Sequence, residues 1–187
     1  MKAVILAGGK GTRLAPYTHI LPKPMMPVGD RAILEVVLGQ FSRAGISEVT
    51  LAVGHLASLM QAYFGDGSRY NLKITYAYEE KPLGTAGPLA LVEGLTETFL
   101  VANGDIMTLL DLNQLIAFHK EQKTVCTIAS HQRTHKINLG VIEHAEGSYR
   151  VSGYIEKPSM NFLVSMGMYI FEPGVLDYIP KGEYFDF

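Results

Sequence analysis

The chain has one cysteine in 187 residues, Cys126, so no disulfide can form within it. That cysteine lies in the strand-like run Thr124-Val125-Cys126-Thr127-Ile128, where a small buried hydrophobe is the ordinary role. Charge is scarce and balanced: 18% of the residues are charged and the formal net charge is -2. Such a surface offers no electrostatic footprint for nucleic acid or an anionic membrane, so neither is expected as a partner. The apolar runs are too short and too often interrupted to span a bilayer, and Met1 leads straight into a strand without a signal-peptide pattern. A cytoplasmic location is the expectation. Internal repeats, low-complexity tracts and linkers are missing as well, and a single domain over residues 1–187 is expected, long enough for one substantial core.

What is present is 48% hydrophobic content in two alternating rhythms. Ala3–Leu6, Val49–Val53, Ile74–Ala77 and Thr98–Ala102 have strand length and β-branched or aromatic content. Helix-length segments separate them. Ala32–Ala44 places Ile33, Val36, Val37, Gln40 and Phe41 at helical spacing before Gly45, and Ala57–Phe64 runs to Gly65-Asp66-Gly67. Leu112–Gln122 follows Asp111, a suitable N-cap. From Val125 the character turns to strands, at Val125–Ser130, Leu139–Glu143, Val151–Glu156 and Phe162–Phe171, with a hairpin turn at Ala145-Glu146-Gly147-Ser148. The alternation predicts an α/β fold, Rossmann-like and doubly wound, with a mixed, mainly parallel sheet. Ligands of such folds bind beyond the carboxyl ends of the strands. The segments Gly8–Gly11, Glu79–Gly87 and Asn103–Asp105 each follow a predicted strand, so they should open on one rim.

The first of these, Leu6-Ala7-Gly8-Gly9-Lys10-Gly11-Thr12-Arg13-Leu14, is a turn in which successive N–H groups can converge on an anion. Arg13 adds a permanent charge with a fork suited to phosphate. The turn lacks the hydroxyl residue that Walker A requires after its lysine, since Gly11 follows Lys10. It also lacks the third glycine of the dinucleotide fingerprint, Leu14 standing in that place. Further on, Pro22-Lys23-Pro24 sets a lysine between two prolines, which predicts a stiff, extended segment presenting its ammonium.

Taken in order, Gly8–Leu14, Pro22-Lys23-Pro24-Met25, Tyr63–Ser68, Glu79–Gly87, Asn103-Gly104-Asp105 and Glu156-Lys157-Pro158 resemble the sugar-1-phosphate nucleotidyltransferases, or nucleoside-diphosphate-sugar pyrophosphorylases. The spelling of Glu79–Gly87 is most similar to mannose-1-phosphate guanylyltransferases. The resemblance implies the nucleotide-diphospho-sugar transferase fold and a condensation of a nucleoside triphosphate with a sugar 1-phosphate. It further implies Mg²⁺ as cofactor, with Asp105 as its ligand. Arg13 and Lys23 would hold the triphosphate and the charge developing in the transition state, and Lys157 would face the sugar phosphate. Leu6, Gly8, Gly9, Gly11, Thr12, Glu79, Gly84, Thr85 and Gly104 would contact the nucleotide. Asn103, Gly140, Glu156, Lys157 and Gly167 would line the sugar pocket. In Gly84-Thr85-Ala86-Gly87 the small residues would let a flat base lie on backbone, while Thr85 doubles as a helix N-cap.

GTP is the expected nucleotide, with UTP or dTTP next and CTP open. An ionised Glu79 can only accept hydrogen bonds, and guanine offers two adjacent donors where uracil offers one between carbonyls. Relatives run on past the position of Phe187 and bring a second acidic residue to the metal, whereas Asp177 and Asp186 do not sit in a matching context. A truncated molecule that binds nucleotide but turns over poorly is therefore expected. A noncatalytic sugar-nucleotide-binding module on the same fold stays open beside the enzyme, as does a homo-oligomer. His131 and His135 have the spacing of a helical metal pair, but the strand pattern around them makes them surface histidines.

Overall fold

The run Ala3-Val4-Ile5 is apolar without alternation because both faces of the strand it forms are covered, as in the middle of a parallel sheet. In the computed structural model, which describes residues 1–187, this strand is β1 (Lys2–Leu6). It pairs in parallel with β4 (Glu48–Val53) on one side and β6 (Phe99–Asn103) on the other. The strand β5 (Lys73–Tyr78) adds in parallel outside β4. Beyond β6 come β10 (Ser159–Phe171), antiparallel to it, and then β7 (Cys126–Lys136), giving the order β5-β4-β1-β6-β10-β7. The sheet is thus mixed and mainly parallel, as the two rhythms of the sequence imply.

Three α-helices lie close to their predicted bounds: α1 (Ile33–Arg43), α2 (Ala57–Phe64) and α3 (Leu112–Gln122). The Asp111 carboxylate accepts from the N–H groups of Asn113 at 2.9 Å and Gln114 at 3.3 Å, which satisfies two of the donors exposed at the start of α3. The chain steps from β1 to β4 to β5 in one direction and then returns across β1 to β6, so the order reverses beside β1. The face carrying Val4, Ala52, Ala77 and Val101 is covered by Leu89 and Val92, with Leu176 packed alongside. That cover is not α-helical. It consists of 3₁₀ turns at Gly87–Leu91 and Pro173–Tyr178, each with proline in its first two positions. The turn at Gly87 is preceded by Ala86 with no side-chain cap, so the expected capping role of Thr85 is not realised.

A second correction concerns Lys23. Pro22 is extended (φ -55°, ψ 142°), but Lys23–Met25 closes into a 3₁₀ turn in which Met25 N–H bonds Pro22 O at 2.8 Å. The segment is stiff as predicted and bent rather than extended, because Pro24 can occupy an early turn position where no N–H is needed. Two short strands went unforeseen, β2 (Pro27–Val28) and β3 (Arg31–Ala32), paired across Gly29.

The chain divides into two compact units, Met1–Ala129 with Gly167–Phe187, and Ser130–Met166. The second unit holds β8 (Val141–His144) and β9 (Val151–Ile155), an antiparallel hairpin whose turn is closed by Ser148 N–H to Ala145 O at 3.0 Å. His131 and His135 both fall on the strand β7 and are exposed.

Candidate active site

A cavity of about 800 Å³ opens at the carboxyl ends of β1 and β6, beside the point where the strand order reverses. Its wall contains Leu6, Gly8, Gly9, Gly11 and Arg13 from the loop after β1, and Lys23 from the 3₁₀ turn. Glu79, Gly84 and Thr85 follow β5, and Asn103, Gly104 and Asp105 follow β6. Three predicted loops therefore share one rim. Of the expected nucleotide contacts only Thr12 is outside the wall, exposed on the 3₁₀ turn Thr12–Leu14.

The loop after β1 is built to leave donors available. Ala7 is the last residue held by the sheet, its N–H bonding Ala52 O at 2.8 Å, and the N–H groups of Gly8, Gly9 and Lys10 take no backbone acceptor. Gly11 has φ +61°, and a Cβ there would stand 2.8 Å from Thr18 Cγ2, so only glycine fits. Arg13 is exposed and Lys10 lies in the same wall, placing two cations beside those donors.

At the far side of the loop Lys23 Nζ is in close contact with Asp105 Oδ2. The backbone after β6 can approach this closely because Gly104 N–H bonds Leu6 O at 2.9 Å, and a Cβ on Gly104 would meet Pro24 Cγ at 3.1 Å. Asp105 thus already pairs with a cation, its side chain 26% exposed and an ammonium against it. The donor set also fits Mg²⁺, which commonly takes one or two carboxylates and completes its shell with phosphate oxygens and water. No three His, Cys, Asp or Glu side chains converge into an all-protein cage.

Glu79 is half-buried. Its Oε2 accepts the Leu83 N–H at 3.2 Å, and its carboxyl lies over Gly8, in the space a Cβ there would need. Burial pushes its pKa up, against the opposing pull of the Leu83 N–H. The loop beyond it is shaped by an unexpected partner, the segment at residues 183–187. Thr85 donates to Asp186 Oδ1 from both its N–H (2.8 Å) and its hydroxyl (3.0 Å), while Ala86 and Gly87 N–H bond Phe185 O at 2.9 and 3.0 Å. Gly84 has φ +82° and a Cβ there would come within 2.5 Å of Phe185 O, and one on Gly87 within 2.8 Å of Glu183 O. The small residues at 84 and 87, expected to let a base lie on backbone, make room for this segment's backbone. The hydroxyl of Tyr184, another wall residue, donates to Asp186 Oδ2 at 2.6 Å and helps hold that carboxyl below the usual carboxylate range.

The expected sugar-pocket residues divide between the units. In the first, Gly167 packs against the Asn103 side chain with φ +71°. In the second, the Tyr154 ring and hydroxyl fill the space above Gly140, and that hydroxyl donates to Glu156 Oε2 at 2.6 Å. Glu156 Oε1 is 3.7 Å from Lys157 Nζ, and Lys157 is held at φ +47°, an unusual backbone for a residue with a side chain.

His55, Tyr184 and Tyr154 belong to none of the motifs named above. His55 was findable, since Val53-Gly54-His55 repeats the strand-then-glycine pattern of the loop after β1. For Tyr184 and Tyr154 no local pattern exists.

The family described as Nucleotidyl transferase matches residues 2–185. The chain is 38% identical over 185 residues to a mannose-1-phosphate guanylyltransferase of Mycobacterium tuberculosis, covering 97% of this chain and 51% of that protein. It is 35% identical over 205 residues to a UTP–glucose-1-phosphate uridylyltransferase of Synechocystis, covering 100% and 53%. It therefore spans about half the length of these curated relatives. Among solved structures, HddC of Yersinia pseudotuberculosis, complexed with GMP-PN, shares the fold with a TM-score of 0.73 at 22% identity, over 100% of this chain and 82% of that one. A UDP-glucose pyrophosphorylase complexed with UDP-glucose does so with a TM-score of 0.68 at 21% identity, over 94% and 77%. No helix is long and apolar enough to cross a membrane.

Proposed function

The chain belongs to the nucleotidyl transferase family, and from that premise we propose that it condenses a nucleoside triphosphate with a sugar 1-phosphate. A phosphate oxygen of the sugar 1-phosphate attacks the α-phosphorus, the bond to the β-phosphate oxygen breaks, and pyrophosphate leaves as the nucleotide-sugar forms. The observation that carries this reading is the convergence of the glycine loop, Arg13, Lys23 and Asp105 in one cavity. Two polyanions must be brought together, so the protein's task is to neutralise charge and align the reactants rather than to form a covalent intermediate. The donors of Gly8 to Lys10 receive phosphate oxygens, and Arg13 bridges them with its fork. Lys23 exchanges its Asp105 partner for the phosphate chain. Asp105 would hold Mg²⁺, which would supply further neutralisation when bound. Lys157 faces the sugar phosphate and Glu156 accepts from sugar hydroxyls.

GTP and a mannose-1-phosphate-like sugar are the favoured pair, supported by the guanylyltransferase relatives and by Glu79. The carboxylate keeps lone pairs after accepting the Leu83 N–H, and so can take the adjacent donors of guanine. UTP is the second reading, favoured by the name of the Synechocystis relative. Calorimetric titration of GTP, UTP, dTTP and CTP into the protein and into Glu79→Gln separates the two. GTP should bind tightest and lose its lead on substitution; tighter UTP binding, or an unchanged ranking, removes the argument from Glu79.

A further inference from the structure

Thr18 and His55, which have no place in the chemistry just described, tie down both ends of the glycine loop. Thr18 is 3% exposed; its hydroxyl donates to Gly11 O at 3.0 Å and its methyl fills the space that a Cβ on Gly11 would need. Its own carbonyl lies 3.0 Å from His55 Nε2, so that nitrogen must carry the proton. His55 stands on the turn after β4, at the cavity wall, and its backbone N–H reaches back toward Gly8 O at 3.5 Å. On the same turn, Gly54 is so close that a Cβ would be 3.1 Å from Gly8 O. One turn on the neighbouring strand thus grips Gly8 through backbone and Gly11 through the His55–Thr18 relay.

We propose that His55, acting through Thr18, is a positioning residue that fixes the Gly8–Gly11 loop in its phosphate-binding conformation. A glycine-rich loop has many backbone states, and each must be suppressed if its N–H groups are to converge on a phosphate before the ligand arrives. Packing alone would be served equally by an apolar side chain at position 55. The half-buried imidazole instead supplies a directed donor to a carbonyl of the loop segment. The inference rests on the nucleotide reading given above.

The test is calorimetric titration of the tightest-binding triphosphate, and of its parent nucleoside, into the unmodified chain and four variants. His55→Leu and Thr18→Val each remove one donor, whereas His55→Gln and Thr18→Ser retain it. The first pair should weaken triphosphate binding about tenfold, the scale of one directed hydrogen bond, and leave the nucleoside within about twofold. The second pair should stay within about twofold of the parent for both ligands. Unchanged triphosphate affinity in either of the first pair overturns the inference, as does an equal loss for nucleoside and triphosphate, or a His55→Gln chain as weak as His55→Leu. Should His55→Leu not fold, His55→Asn replaces it, its amide being too short to reach Thr18 O. Failure of the unmodified chain to prefer triphosphate over nucleoside would overturn the functional reading beneath the inference and the inference with it.

Discussion

At the scale of single residues, the cavity is marked by charge that is placed but lightly buried. Lys23 and Asp105 pair with side chains 32% and 26% exposed, and an ion pair in that setting contributes at most about 1 kcal/mol. Asp105→Asn should therefore barely move the melting temperature while abolishing Mg²⁺-dependent turnover; near-normal turnover in Mg²⁺ would remove Asp105 from the metal. Arg13→Ala and Lys23→Ala should each lower kcat/KM by at least about a hundredfold, the usual effect of losing a group aimed at developing charge. A large fall in stability with a modest kinetic loss would make them structural instead. Glu79 adds a pH dependence whose sign follows from its burial. Its pKa is raised, so as pH falls the carboxyl protonates earlier than an ordinary glutamate, and a protonated carboxyl presents a donor to guanine's donors. GTP affinity should be flat near neutrality and drop on acidification before the ordinary glutamate range is reached, and titrations across pH on Glu79→Gln should show no such drop. Most of these residues were legible, since Arg13, Lys23, Glu79 and Asp105 stand in ordered motifs. For His55 only the place is legible, since Val53-Gly54-His55 marks a turn at the rim; its hydrogen bond to a carbonyl 37 residues away in sequence is recorded in no local spacing.

Among the elements, those that obey periodicity were read closely and those set by partners were not. The α3 bounds and its Asp111 cap match because a helix carries its own start signal; Asp111→Ala should cost about 1 kcal/mol in urea unfolding and leave nucleotide affinity intact. The strand β7 runs to Lys136, past its predicted end at Ser130, because His131 to His135 are polar and exposed and show no alternation to detect. The cover over β1 is 3₁₀ rather than α-helical, a consequence of Pro88 and Pro173 at the starts of short segments. Least legible was the docking of residues 183–187 on the 84–87 loop, because each side of that contact is unremarkable alone. Gly84→Ala tests it: the left-handed backbone and the 2.5 Å approach to Phe185 O should together cost at least about 1–2 kcal/mol, read by urea unfolding. A neutral result would show that the segment does not rest on Gly84.

For the molecule as a whole, the sheet order explains why loops distant in sequence meet. Reversal of the strand order beside β1 brings the loops after β1 and β6 to one crevice, and the loop after β5 joins them from the next connection. The division into two units was not legible, because β7 and β10 pass from one to the other as unbroken strands and leave no linker to read. Gly140, Glu156 and Lys157, which the resemblance assigns to a sugar pocket, lie in the smaller unit, where the Tyr154 hydroxyl donates to Glu156. If the cavity joins a triphosphate to a sugar 1-phosphate, pyrophosphate must be released. GTP, UTP, dTTP and CTP are each incubated with mannose 1-phosphate or glucose 1-phosphate, with and without Mg²⁺, and pyrophosphate and nucleotide-sugar are quantified together. Equal amounts of the two products are expected, formed only when both substrates and Mg²⁺ are present and most with GTP and mannose 1-phosphate. Absence of pyrophosphate from every pair, or release of orthophosphate without any sugar phosphate, would contradict the proposed condensation.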